Sequence, residues 1–372
     1  SIDTDKKKNK VLIVSAFLVF TKAYSQKRLV DVADSSPIAA ASIFDASGNM
    51  VGLTTADGIL PEIPASVYPI TISCIGYEQL VVNSADDKDL VMMPTVYNLA
   101  ELVVVPVKRN ILKQTFYIRE YFSMCNSTDT VTFFSEHMAN RFVPATKDAK
   151  FKGSSSLRIL GSKNYSRYQL FGKDSIVADP KSVFPSMLNV YELNKKDVVA
   201  PMSFRNSSSA NKLYEKSAKS GMSLIQKQND QTFIQTEDML ADTKDHKFSP
   251  WALKLLGFTM DFKQFYSNHS YRINEKGVYN SNDLVEASFV IEADGKGKYL
   301  RKALKSEKPI IIRSMAELYV VDCEYLTKEE AKEEYDYKPT RVRFDIPSTV
   351  PPLNRATRQL VERAKEERVV IW

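Results

Sequence analysis

The residues that could do chemistry in this chain are few and scattered. His137, His246 and His269 are its three histidines, and none stands in an H-x-x-E, H-E-x-x-H or C-x-x-C setting. A zinc peptidase ligand set is therefore not visible. The cysteines Cys74, Cys125 and Cys323 are odd in number and widely spaced, which is no disulfide framework. At most one bridge can form, with Cys125 and Cys323 as the pair; the favoured reading is three separate small hydrophobes. "KGSSSL" lacks the G-x-S-x-G elbow of a serine hydrolase. "GKGK", Gly295 to Lys298, is too short to cradle phosphate and reads as a turn between two strands. Glu136-His137 falls in a strand pattern and reads as an exposed or hydrogen-bonded polar pair. Glu286 and Glu292 share one face of a strand, a position that mostly faces water, and a glycosidase would need a set separation between them. Phe258, Phe262, Phe265, Tyr266 and Tyr271 could line a groove for glycan or lipid, but aromatics dominate ordinary cores and core is the expected role. The sequence thus assigns no catalytic residue, no cofactor-binding residue, no metal ligand and no cofactor.

Composition narrows the classes further. The 372 residues are 44% hydrophobic and 26% charged, enough for two or three cores and unlike a disordered chain. The formal charge is +6, but 51 basic and 45 acidic residues are interspersed. No clustered basic footprint for nucleic acid results, apart from the extreme N-terminus. There "KKKNK" precedes the apolar run Val11 to Phe20, and "TKAYSQ" follows with Ala23 and Ser25 two apart. This is the pattern of a secretory signal peptide over 1–25, too short to span a bilayer. Gln26 and Lys27 stand where a lipoprotein needs Cys, so the mature chain is expected to begin near Gln26, exported and not lipidated.

The elements that must position any site begin with a run of short strands. From Gln26 to Pro94, "KRLVDV", "AAASIFDA", "MVGLTT", "YPITISCI", "EQLVVN" and "LVMMP" alternate with turn clusters such as Asp34 to Pro37, "ASGN", "ADG" and "ADDKD". No helical period interrupts them, which predicts a small β-sandwich. Asp57-Gly58 suits a turn with positive φ, and Gly76 ends or bends the strand before Tyr77.

Pro37-Ile38, the Thr54 to Gly58 turn and Ile75-Gly76-Tyr77, with "LVMMP" and "LAELVVV" after them, resemble the carboxypeptidase-regulatory-like domain. This is a transthyretin-like β-sandwich of Bacteroidota envelope proteins. Ala56 and Leu60 depart from its usual Asp or Asn and Phe. The resemblance implies a scaffold over 26–95 and no peptidase activity, although the domain is named after an accessory unit of zinc carboxypeptidases. In transporters carrying this domain, a segment like "NLAELVVVPVK" leads into a plug and a barrel of roughly twenty or more strands. Too few residues follow Lys108 for such a barrel.

After a linker over 96–110, residues 111–372 read as a mixed domain of antiparallel sheet with flanking helices, an α+β multidomain whole. "QTFYIREYFSMC" and "TVTFFSEHMANRFV" form a hairpin across "NSTD". "SLIQKQNDQTFIQT" gives a second, tipped by Asn229-Asp230, and "DLVEASFVIEADGKGKYLRK" a third. "PIIIRSMAELYVVDCEYL" and "TRVRFDIP" add strands. "TKEEAKEEY" opens with Thr327 and Glu330 in capping-box spacing, and "LNRATRQLVERAKEER" puts Leu353, Thr357, Leu360, Val361 and Ala364 on one helical face. "SPWALKLLGF" is a third helix candidate, 203–221 an exposed flexible loop, and the terminal "VVIW" too close to "ERAKEER" to end a barrel strand. The order of these elements is also similar to that of uncharacterised Bacteroidota proteins, which supplies no reaction.

The function these readings predict is that of an exported, non-enzymatic envelope protein, periplasmic or outer-membrane-associated, in which the sandwich binds an envelope partner. Two alternatives stay open: a hydrolase on peptide or glycan, and a carrier of lipid or glycan. The interior of the 111–372 sheet discriminates among them: a Ser-His pair or convergent carboxylates point to an enzyme, an empty apolar cavity to a carrier, a filled core to a scaffold.

Overall fold

The computed structural model describes residues 26–88, 90–95, 109–146, 148–152, 157–178, 198–199, 212–217, 221–227, 231–241, 243, 258–273, 278–280, 282–304, 307–337 and 343–366. The chain is mostly β. The six short strands form where alternation and turns place them: β1 (Leu29–Asp31), β2 (Ser42–Asp45), β3 (Met50–Leu53), β4 (Ile70–Ser73), β5 (Leu80–Val82) and β6 (Leu90–Met92). They make a four-stranded sheet in the order β3-β2-β4-β5 and a two-stranded parallel sheet of β1 and β6. Between them lies a core of Leu29, Ile43, Ile70, Ile72, Tyr77 and Leu90 with their neighbours.

Gly58 has the predicted positive φ, 71°, and Gly76, read as a strand end, also takes one, 75°. Gly76 lets the chain turn out of β4 so that Tyr77 can drop its ring into the core, where its hydroxyl donates to Asp31 at 2.9 Å. Gly76→Val forces a β-branched side chain into that left-handed conformation. It is expected to lower stability by about 1 to 3 kcal/mol, read as a shift in the urea midpoint; an unchanged midpoint would remove the role assigned to this turn.

The larger part is one antiparallel sheet of ten strands. In chain order these are β7 (Ile111–Cys125), β8 (Thr130–Pro144), β9 (Arg158–Leu170), β10 (Lys173–Ala178), β12 (Lys212–Ser217), β13 (Gly221–Lys227), β14 (Thr232–Asp238), β15 (Phe258–Arg272), β17 (Leu284–Gly297) and β18 (Ile310–Leu326). A separate short pair joins β11 (Val198–Val199) to β16 (Val278–Tyr279). The order across the sheet is β10-β9-β8-β7-β18-β17-β15-β14-β13-β12. Its first hairpin turns at residues 126–129, with Cys125 opposite Thr130.

One face of this sheet carries the main core, including Phe116, Ile118, Phe122, Phe233, Phe262 and Phe289. Helix α1 (Lys298–Leu304) adds Leu300 and Leu304 to it. The opposite face is covered by the N-terminal unit, by residues 343–354, and by helix α3 (Arg355–Glu366). On α3 the buried residues Thr357, Leu360, Val361 and Ala364 follow the predicted stripe, continued from Leu353 before the helix. Asn354 caps it, its Oδ1 accepting from Thr357 N at 2.8 Å. Helix α2 (Lys328–Asp336) has the predicted capping box between Thr327 and Glu330.

Several expectations are corrected. "DLVEASFVIEADGKGKYLRK" is no hairpin: β17 runs through Gly295 to Gly297, paired with Phe258 to Met260, and α1 starts at Lys298. The GKGK segment is therefore strand end and helix start, with Gly295 packed so tightly that a Cβ would lie 2.7 Å from Ile312 Cδ1. "TRVRFDIP" is no strand over its described residues 343–347; Phe344 instead lies across the sheet on the Tyr117 ring. The expected loop over 203–221 contains strand β12 and the start of β13; its remaining residues lie outside the described ones. So do the 1–25 leader, residues 96–108 of the linker, the Asn229-Asp230 tip, the "SPWALKLLG" helix candidate and "VVIW".

The Cys125–Cys323 bridge is excluded. Cys125 sits opposite Ile311 and Cys323 opposite Gln114, at opposite ends of the same pair of strands, roughly 40 Å apart at strand rise. All three cysteines are free.

Candidate functional site

Strand alternation and register bring together polar residues that the sequence leaves apart. On β7 the side chains of Phe116, Ile118, Glu120 and Phe122 share one face. Register sets Glu120 opposite Ser135 and Ile118 opposite His137, and on the next strand Ser135 opposite Asn164 and His137 opposite Ser162. Five polar groups thus cluster on the face that elsewhere carries the main core. His137 Nε2 lies 3.1 Å from Glu120 Oε2 and 2.9 Å from Ser135 Oγ, and its Nδ1 lies 2.8 Å from Ser162 Oγ. Glu120, Ser135 and His137 are buried, whereas Ser162 is exposed. His137, read from the sequence as half of an exposed or hydrogen-bonded polar pair, is thus buried and hydrogen-bonded. A register shift between Met138 and Ala139 marks a bulge beside the cluster.

Glu136 points to the other face, as its neighbour's burial in the first cluster requires. There it accepts a hydrogen bond from the Tyr117 hydroxyl. Arg119, on the same face, lies between the rings of Tyr117 and Tyr319, at 5.3 and 5.5 Å from their centroids. It reaches Glu317 at 3.7 Å and donates to the carbonyl of Pro351. A cavity of about 20 Å³ adjoins it, lined by Cys74, Tyr77 and Gln79 of the N-terminal unit and by Phe134, Met315 and Leu353. That is room for a single water and not for a substrate.

The joint between the two parts is built beside this cavity. Tyr121 Oη accepts from Met50 N at 2.9 Å and donates to Gly48 O at 3.2 Å. Arg313 Nη1 donates to Met50 O at 3.1 Å, and Arg167 donates to Ser47 O. The Tyr121 ring meets Phe44 edge-on at 5.4 Å. Phe44, Met50 and Leu53 are buried in one cluster with Phe134, Tyr165 and Met315, so the joint has an apolar core of its own.

The remaining candidates take structural positions. His246 and the serines of "KGSSSL", residues 154–156, lie outside the described residues. His269 is fully buried, stacked on Tyr271 and edge-on to Phe289. Glu286 is buried, contrary to the expectation that it faces water, while Glu292 accepts from Arg313 Nε at 2.7 Å. Phe262, Phe265 and Tyr271 belong to the main core; Tyr266 is buried outside it, on the opposite face. Arg141, fully buried, donates to Gln114 and lies over the Phe116 ring at 5.2 Å. Burial pulls its pKa down to about 10, against the pull of Tyr271 and Cys323 upward. No group of three or more metal-ligating side chains occurs among the described residues. No described helix is long and apolar enough to cross a membrane.

No protein family and no curated protein matches the chain. Among solved structures it is similar to one described as lipid-protein interactions in lipovitellin, at 10% identity and a TM-score of 0.28. The match covers 59% of this chain, which spans about a quarter of the other's length (26%). At that TM-score the likeness bears on neither fold nor function.

Proposed function

We propose that this is an exported protein of the cell envelope that works by contact, its N-terminal transthyretin-like sandwich carrying the surface for an envelope partner. The observation behind this reading is the unequal treatment of two sheet edges. In the sheet β3-β2-β4-β5, the β3 edge has its Met50 N–H and carbonyl taken by Tyr121 and Arg313 of the large domain. The β5 edge has β4 as its one ladder partner among the described residues, and Val81 on it is 47% exposed. An open edge accepts an added strand through backbone hydrogen bonds and asks little of the partner's sequence. The clamp at β3 supports this reading by fixing the sandwich, while Val81 on β5 stays exposed.

The leader-like residues 6–25 and the resemblance over 26–95 support export to the periplasm or the outer membrane, without lipidation. A lipid or glycan ligand is not favoured, since Phe262, Phe265 and Tyr271 of the aromatic cluster offered for it pack as core.

Val81→Lys tests the edge. An exposed lysine on an edge strand blocks strand addition while leaving the monomer's stability within about 0.5 kcal/mol. Co-purification of the envelope partner with the mature protein should fall at least tenfold with the melting temperature unchanged. Full retention of the partner by a folded Val81→Lys protein would sink the β5 assignment.

A further inference from the structure

The hydrogen bonds around His137 fix more than its position. A carboxylate can only accept, so a hydrogen bond from His137 to Glu120 puts the ring proton on Nε2, the atom facing it. Ser135 agrees with this: its hydroxyl has Lys163 O at 3.2 Å and Asn164 Oδ1 to donate to, which leaves its lone pair for Nε2–H. In that tautomer Nδ1 accepts, and the Ser162 hydroxyl at 2.8 Å is placed to donate to it. Acid, imidazole and hydroxyl are thus connected in the order that activates a serine, with the two ring nitrogens exchanged relative to the usual arrangement.

Two further observations concern what such a serine could attack. Strand β10 pairs only with Tyr165 to Leu170 of β9, so Arg158 to Asn164 have β8 as their one ladder partner among the described residues. Amide directions alternate along a strand, so an N–H within one residue of Ser162 points off that edge, where an oxyanion donor would stand. On the same face, Ile159 lies opposite Ala139 and is 46% exposed, an apolar wall close to Ser162.

We propose that Ser162 is a nucleophilic serine, activated by His137 and oriented through Glu120, that accepts the acyl group of a neutral ester with an apolar acyl chain. The Ser162 Oγ–acyl carbon bond forms as the hydroxyl proton passes to His137 Nδ1. The acyl carbon–oxygen bond to the leaving alkoxide then breaks, and that alkoxide takes the proton from Nδ1 and departs as an alcohol. The chain is left acylated at Ser162. This adds a covalent step to the contact role and does not depend on it.

The test uses the full chain and an alkyl fluorophosphonate, which traps such a serine by forming Oγ–P as fluoride leaves. Peptide mass spectrometry should place one label on Ser162. Ser162→Ala should abolish it, and Glu120→Gln and His137→Gln should slow it by on the order of a hundredfold. Ser175→Ala, an exposed serine of β10, should label like the parent. Because Ser162 is exposed and Gln matches Glu in size, folded Ser162→Ala and Glu120→Gln proteins keep the test decisive if His137→Gln unfolds. Absence of label on Ser162 in the folded parent, or equal rates in the parent and Glu120→Gln, would overturn the proposal.

Discussion

Tyr121→Ala should cost about 3 to 5 kcal/mol and uncouple the two parts of the molecule. The ring is buried against Phe44, and its hydroxyl serves Met50 N and Gly48 O, so truncation opens a cavity and strands a buried amide at the same place. The N-terminal unit keeps its own core around Leu29, Ile43 and Ile72, and so should stay folded on its own. Calorimetry should therefore show two transitions where the parent shows one. Tyr121→Phe keeps the ring and loses about 1 kcal/mol through the missing hydroxyl. A single transition at the parent temperature in Tyr121→Ala would mean that the joint lies elsewhere.

Gly58→Val should cost more than a glycine change that only strains the backbone. A Cβ at Gly58 would stand 2.6 Å from Leu29 O and 3.1 Å from Ile38 N, both backbone atoms that cannot swing aside. The same turn holds β1 in place, Leu29 N donating to Gly58 O at 2.8 Å. With φ at 71°, strain and clash act together, for about 3 kcal/mol or more. Gly172 separates the two effects: it has φ 72°, and a Cβ there would meet nothing within 4 Å. Gly172→Ala should thus cost about 1 kcal/mol, the strain alone. Urea midpoints of the two proteins that came out equal would refute the clash.

Local signals carried the N-terminal strands, because each is bounded by turn residues with one conformational purpose: the residue types alone place Asp57-Gly58 and Gly76 at turns that need the left-handed region. The hairpin of β7 and β8 was equally legible, since the tight "NSTD" turn fixes its register. That register alone sets Glu120 opposite Ser135 and two rungs from His137, so these three of the five polar groups could have been found by counting outward from the turn. Ser162 could not. The connection from Pro144 to Arg158 is too long to set a register, and the pairing of His137 with Ser162 depends on it. The β17 to α1 junction misled for another reason. Gly295 and Gly297 look like turn residues, but Gly295 is small because Ile312 and Leu300 press on it.

The clamp at the β2–β3 turn has a consequence for how this protein can vary. Three of its hydrogen-bonding residues on the large domain, Tyr121, Arg167 and Arg313, address main-chain atoms of Ser47, Gly48 and Met50. The large domain therefore reads the course of the backbone and not the identity of Ser47. Substitution at that position leaves the clamp's partners unchanged, whereas each of the three readers is tied to its own chemistry. Drift should be one-sided: the turn free to change its exposed side chains, the sheet beneath it held constant, and few compensating pairs passing between them.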